Sequence, residues 1–273
     1  LNTVSPTYRE GIETYTGSQN IDLSVINSSE GDELRDDTAC LIVQYPNFFG
    51  YLEDLIVLER LVHAKGALLV VSTGPIACGM LRPPGEFGAD IVTGEGQSLG
   101  IDLSFGGPYL GLFATRERLM RQMPGRVVGR TVDSRGETGY VLTMQTREQH
   151  IRRERATSNI CTSQQLLALS AAVYMAALGR NGLAQVSELC YQKAHYASSI
   201  LSGLPGFSLP LTQTFFNEFV LRCPVSPTEI NKRLLEVGIV GGLDISEHIS
   251  RSIMICVTEM NTRQEIDALA KVF

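Results

Sequence analysis

Thr38–Ser72, TACLIVQYPNFFGYLEDLIVLERLVHAKGALLVVS, is the stretch on which the fold turns. TACLIVQ and ALLVVS are short β-rich runs, and between them Glu53 to His63 carries apolar residues at helical spacing. Strand, helix, strand at this spacing predicts a parallel pair joined by a crossover helix. Reading outward, IDLSVI (21–26), ADIVT (89–93) and YLGLFAT (109–115) extend the alternation, giving a parallel-rich sheet. Arg126 to Val132 and Gly139 to Leu142 read as a hairpin around the turn-rich DSRGETG. A helix follows from Gln164 to Leu178 and another from Leu183 to Leu201. After the GLPGF turn (203–207) the order becomes strand (NEFVLRC), helix (PTEINKRLLEVG), strand (SIMICV) and helix (TRQEIDALAKVF). The expected organisation is a large α/β domain over 1–180, a connecting helix over 181–205 and a small α+β domain over 206–273.

Composition limits the function classes. With 273 residues, 44 % of them hydrophobic and 19 % charged, the chain can bury a sizeable core. Its net charge of −6, from 23 basic and 29 acidic residues, opposes nucleic acid and anionic membranes, so no partner of either kind is expected and any anion site must be local. Cys40, Cys78, Cys161, Cys190, Cys223 and Cys256 form no CxxC and have no His at zinc spacing, which fits reduced thiols in a cytoplasmic protein and no metal. No uninterrupted apolar run reaches membrane-span length. The opening LNTVSPTYREGIETY lacks an initiator Met and reads as an amphipathic helix already under way, so the chain is expected to begin in mid-protein.

Three motifs carry chemistry. Tyr45-Pro46-Asn47-Phe48-Phe49-Gly50 leaves the carboxyl end of a strand, where open α/β sheets bind ligands, although an ordinary strand-to-helix turn uses the same residues. Two glycine clusters, Gly94 to Gly100 and Gly106-Gly107-Pro108, match neither GxGxxG nor a P-loop; close backbone approach explains them better than a nucleotide. From Thr146 to Thr162 the chain concentrates Arg147, Arg152, Arg153 and Arg155, His150 and the run Thr157-Ser158-Asn159-Ile160-Cys161-Thr162. Guanidinium forks and hydroxyl donors ahead of a helix make an anion-recognition loop. The same residues also allow a Glu148–Arg152 helix pair and a capping box from Thr162 to Gln165. His63 and His195, among apolar helical neighbours, and His248, in a polar turn, read as structural.

The lysines are decisive for one class of chemistry. An internal aldimine requires a lysine at a strand end beside a small-residue loop. Lys65 precedes a strand, Lys193 and Lys232 lie within helices, and Lys271 is next to the carboxyl end. None can anchor such a cofactor.

RPPGEFG (82–88), Gly94 to Gly111, MPGRVVG (123–129) and above all QTREQHIRRERATSNICT (145–162) resemble the P-protein of the glycine cleavage system, glycine decarboxylase. QYPNFFG (44–50) and SQQLLALSAAVYMAALG (163–179) are most similar to the α type, subunit 1, of its two-subunit form. The likeness runs from about Thr7 to the carboxyl end, and the family's amino-terminal third or more is absent. The resemblance implies a fold-type I pyridoxal-phosphate-dependent transferase-like architecture. It implies decarboxylation of glycine, with the aminomethyl group passed to the lipoyl arm of the H-protein. It also implies an α2β2 heterotetramer in which pyridoxal phosphate is bound to a lysine of the β subunit, while α lines the pocket across the interface. In that alignment Ser98 stands in the lysine place and Gly74 near the aspartate that pairs with the pyridine nitrogen. Thr157, Ser158, Asn159 and Thr162 are then candidates for binding the partner's cofactor. Asn47 is a further cofactor candidate, and Arg147, Arg153 and Arg155 are candidates for substrate or anion contacts. Competing readings are the amino-terminal half of a single-chain P-protein, a self-sufficient pyridoxal-phosphate enzyme, and a nucleic-acid-binding module.

Overall fold

In the computed structural model, which describes residues 1–27, 34–144, 149–156 and 164–273, the stretch from Thr38 to Ser72 is strand, helix, strand. β1 (Cys40–Gln44) pairs in parallel with β2 (Leu68–Ser72), and α2 (Leu55–Ala64) connects them. The helix starts where Asp54 accepts from the amides of Ile56 and Val57, and it buries Leu55, Leu58 and Val62 on one face. β3 (Ile91–Glu95) adds in parallel to β2, and β4 (Gly111–Thr115) closes the sheet antiparallel, in the order β1-β2-β3-β4. Leu41, Val43, Leu69 and Val71 join the α2 residues in one hydrophobic core.

Two expectations differ from the structure. IDLSVI pairs with no strand among the described residues; Ile21, Leu23 and Val25 stay exposed, and a Ile26 carbonyl bond to the Asn2 amide (2.9 Å) fixes its end. The opening helix, α1 (Pro6–Thr16), begins only at Pro6, where a missing N–H costs nothing, while Leu1 and Val4 are buried before it.

β5 (Val127–Val132) and β6 (Thr138–Thr143) form the expected hairpin, and α3 (Gln149–Arg152) is a single turn. α4 (Gln165–Ser202) is one run broken at Gly179 (φ 62°, ψ −174°), within the gap between the two predicted helices. By length and composition α4 could cross a membrane, which no single run in the sequence announced. Its halves behave differently. Before the break Leu166, Leu169 and Val173 are exposed; after it Leu201 is buried together with Cys190, Ala194 and Ala197, whose small side chains let the helix lie close to a sheet. That sheet is antiparallel, β7 (Glu218–Arg222), β9 (Ser252–Cys256) and β8 (Leu243–Asp244), in the order β7-β9-β8. α5 (Pro227–Glu236) and α6 (Arg263–Val272) contribute Ile230, Leu234 and Ile266 to this second core. Ser226 caps α5, and Thr262 with Glu265 forms a capping box on α6.

An ionic knot holds the amino end of β3. Asp90, 1 % exposed, accepts from the Leu69 amide (2.9 Å), from Arg118 and from His63 Nε2 (2.8 Å), while His63 Nδ1 lies 2.7 Å from Glu59. Arg116 Nε is 3.7 Å away. A ring whose two nitrogens both face carboxylates is an imidazolium donating twice. The Asp90 bond raises the His63 pKa most; burial lowers it by less, and the Glu59 bond and the charges of both carboxylates add to the rise. Burial alone would raise the Asp90 carboxyl, but His63, the Leu69 amide and Arg118 bring it below its ordinary value.

The sign follows from linkage. A raised imidazolium pKa stabilises the fold in full below the unfolded value of about 6.5, and that contribution fades as pH climbs through the folded value. Urea midpoints should therefore fall above that range in the parent chain, whereas His63→Gln should show a flatter pH dependence there. Parallel curves for the two proteins would contradict the knot. Asp90→Asn, which takes the shared counter-charge from His63, Arg116 and Arg118, should cost about 2 kcal/mol at neutral pH, the scale of a hydrogen bond to a charged group.

Candidate functional site

The carboxyl ends of β1, β2 and β3 open into a cavity of about 790 Å³ that reaches across to the second core. Gln44 and Pro46 line it from β1, Ser72 to Gly74 from β2, and Glu95, Gln97 and Ser98 from β3. Tyr8, Tyr174, Phe216, Glu218 and Glu259 complete the walls. A crevice outside the carboxyl ends of parallel strands is where this kind of sheet binds ligands.

The turn after β1 shapes it. Tyr45–Pro46 is cis. Asn47 is 6 % exposed: Oδ1 accepts from the amides of Phe49 and Tyr51 (both 3.0 Å), and Nδ2 donates to Glu53 (2.8 Å). Its side chain therefore holds the turn, and Asn47 is not among the cavity's lining residues. Gly50 (φ 86°) permits the closest approach: a Cβ there would stand 2.0 Å from the Glu218 carbonyl oxygen. Around it the Phe216 amide donates to Gly50 (3.1 Å), and Tyr51 bridges Phe215.

The first glycine cluster serves close approach, as expected, whereas Gly106 in the second, at φ 88°, faces open space. Cβ atoms on Gly94 and Gly100 would fall 2.4 Å from the Thr73 oxygen and 2.6 Å from the Tyr174 ring. The histidines serve packing and pairing. His195 stacks on Phe215 (centroids 4.0 Å, planes 3° apart) and its Nε2 lies 3.1 Å from the Phe215 carbonyl; His248 meets Phe48 and Phe49 edge-on.

Arg147, Thr157, Ser158, Asn159 and Thr162 fall outside the described residues. Arg153 and Arg155 are exposed in a one-turn 3₁₀ segment, with Arg155 3.9 Å from Glu154, and neither lines the cavity. Glu95 could have been found from its place at a strand's carboxyl end. Glu218 and Glu259 carried no local signal, since the chain crossing at Gly50 and the loop after β9 bring them in.

Pyridoxal phosphate does not fit this crevice as its own cofactor. Ser98 and Gly74 both face it, so neither an aldimine lysine nor a pyridinium-pairing carboxylate is present at those places. A Cβ on Gly74 would meet nothing within 4 Å, so the missing side chain leaves open space. Lys193, the nearest in sequence to the wall residues, has its amine on the Glu259 carbonyl. The lining includes Glu95, Asp102, Glu218 and Glu259 but no Lys, Arg or His among the described residues, a set that repels a phosphate.

A parallel-rich sheet with its crevice closed by a small antiparallel sheet defines the fold-type I pyridoxal-phosphate enzyme architecture. Solved structures of a sphingosine-1-phosphate lyase from Burkholderia pseudomallei (TM-score 0.66, 14 % identity, 99 % of this chain and 60 % of that one) and a NifS-like protein (0.66, 16 %, 99 % and 72 %) share that fold. The chain belongs to the glycine cleavage system P-protein family, whose model matches residues 2–273. It is 51 % identical to the probable glycine dehydrogenase (decarboxylating) subunit 1 of Thermomicrobium roseum and to that of Desulforamulus reducens, over 98 % of this chain and 63 % of each relative. A crystal structure of glycine decarboxylase (P-protein) in inhibitor-bound form superimposes with a TM-score of 0.94 at 38 % identity, over 99 % of this chain and 63 % of that one. The chain thus spans 63 % of the length of these relatives.

Gly50→Ala tests the crossing that closes the crevice. Positive φ and a 2.0 Å clash with backbone predict a loss of roughly 3 kcal/mol or more, read as a lowered urea midpoint. An unchanged midpoint would mean that the two backbones are not held together there.

Proposed function

We propose that this chain works as the α-type part, subunit 1, of a two-subunit glycine decarboxylase in the cytoplasm, completing a site whose pyridoxal phosphate is held by the β subunit. The observation that carries this reading is the joint one of 51 % identity to subunit 1 relatives over 98 % of the chain and a crevice whose lysine place is Ser98. The five described cysteines are unpaired, which supports a reduced setting.

In the reaction so assigned, glycine loses CO2 and its aminomethyl group passes to the lipoyl arm of the H-protein. The partner's pyridoxal phosphate supplies the electron sink for decarboxylation when bound. This chain's contribution is binding and orientation. Hydroxyl and amide donors of Thr157, Ser158, Asn159 and Thr162 would reach the partner cofactor's phosphate, and Arg147, Arg153 and Arg155 would meet anionic groups or pin that loop. An α2β2 assembly brings two such pairs together. The 1–180, 181–205 and 206–273 division assigns the cross-interface loop to the large domain and the carboxylates at 218 and 259 to the small one.

Copurification with a β-type subunit checks the reading. The complex should release CO2 from glycine in the presence of lipoyl H-protein, and neither subunit alone should. An aldimine absorbance in this chain by itself, or full activity of the β-type subunit without it, would overturn the assignment. In the complex, Asn159→Ala and Thr162→Ala should each weaken cofactor retention about tenfold, the worth of one charge-assisted hydrogen bond. Retention measured by cofactor absorbance after gel filtration, if unchanged in both variants, removes the loop from the pocket.

A further inference from the structure

The crevice that does not suit pyridoxal phosphate has a positive chemistry of its own. Glu95 and Asp102 reach it from the sheet side, Glu218 and Glu259 from the second core, and no basic side chain lines it among the described residues. Glu95 is fixed in place, since its Oε1 accepts from the amides of Gln97 (3.0 Å) and Leu110 (3.1 Å). Cys190 donates to Glu259 Oε2 (3.2 Å). Burial first, then neighbouring carboxylates, push the Cys190 and Cys256 thiols up to about 12, so both remain neutral donors beside the acids. Tyr8 and Tyr174 add aromatic rings to the same cavity, and Ile76 and Leu103 add apolar surface. A ring face and a carboxylate both attract a cation, while apolar wall between them receives a hydrocarbon body.

We propose that this crevice binds a small organic ammonium ion, an alkylamine in its protonated form. The cavity, its aromatic walls and its one-signed lining agree on that class, and the reading stands independently of which subunit holds pyridoxal phosphate. The ammonium N–H groups donate to the Glu218 and Glu259 carboxylates, and the alkyl body lies along Tyr8 and Leu103. Burial raises the Glu218 pKa, and a bound cation draws it back down.

Calorimetric titration of the full-length protein with butylammonium chloride tests this. One-site saturable binding is expected, with none for butyrate or inorganic phosphate and no displacement by an equal concentration of potassium chloride. Glu218→Gln and Asp102→Asn should each weaken binding about threefold, the scale of a partly solvated charge pair. Tyr8→Ala, on a helix with no buried residues, should weaken it about twofold without disturbing the fold. No saturable binding, equal binding of butyrate or phosphate, displacement by potassium, or wild-type affinity in all three variants would overturn the proposal.

Discussion

At Gly50 two stretches of backbone, one leaving β1 and one entering β7, approach more closely than any side chain would permit. The oxygen of Glu218 stands where a Cβ would be, and the flanking pairs from Phe216 to Gly50 and from Tyr51 to Phe215 make the contact a short ladder. Because of it Tyr51 belongs to the second core although it follows a strand of the first. The cavity exists because the strand ends on one side and Glu218 on the other are held at a fixed separation by this crossing. Asn47 supports it from behind by satisfying the turn's amides, which is why a residue with the look of a ligand contact is used up in structure.

The elements that local pattern specifies were legible. Two parallel strands with a helix between, the hairpin, the break near Gly179 and the strand-helix-strand-helix tail follow from periodicity and turn chemistry, which act over a few residues. IDLSVI was misread for a related reason. Its alternation satisfies the local requirement of a strand, but a strand also needs an edge to pair with, and Ile21, Leu23 and Val25 face solvent instead. Pairing is non-local, so no pattern in the segment itself could report its absence.

The site was legible in the same uneven way. Ser98 and Gly74 could be assigned by likeness to a family, and the structure brings both to the crevice. The glycines after β3 could be assigned to close packing because they failed every phosphate fingerprint. Glu218 and Glu259 could not be found, since each enters through a contact with residues far away in sequence. Their carboxylates meet thiols, while Lys193 reaches Glu259 only at its backbone carbonyl, and a sequence offers no sign that two cysteines will be driven to about 12 beside them.

Loss of a catalytic lysine explains only an absence, whereas the charge of this crevice requires a further step. Exchanging a lysine for serine and a carboxylate for glycine leaves the net charge of a pocket unchanged. A neutral remnant would therefore be the simplest result of those two differences. Instead four carboxylates from separate parts of the chain converge, one of them with its amide bonds in place and another desolvated at the mouth of β7. Gathering like charges in a partly buried space raises the free energy of the empty pocket, and a bound cation relieves that repulsion. The same electrostatics disfavour a phosphate against the described lining residues, and the sequence concentrates phosphate donors in the arginine- and hydroxyl-rich stretch between β6 and α4.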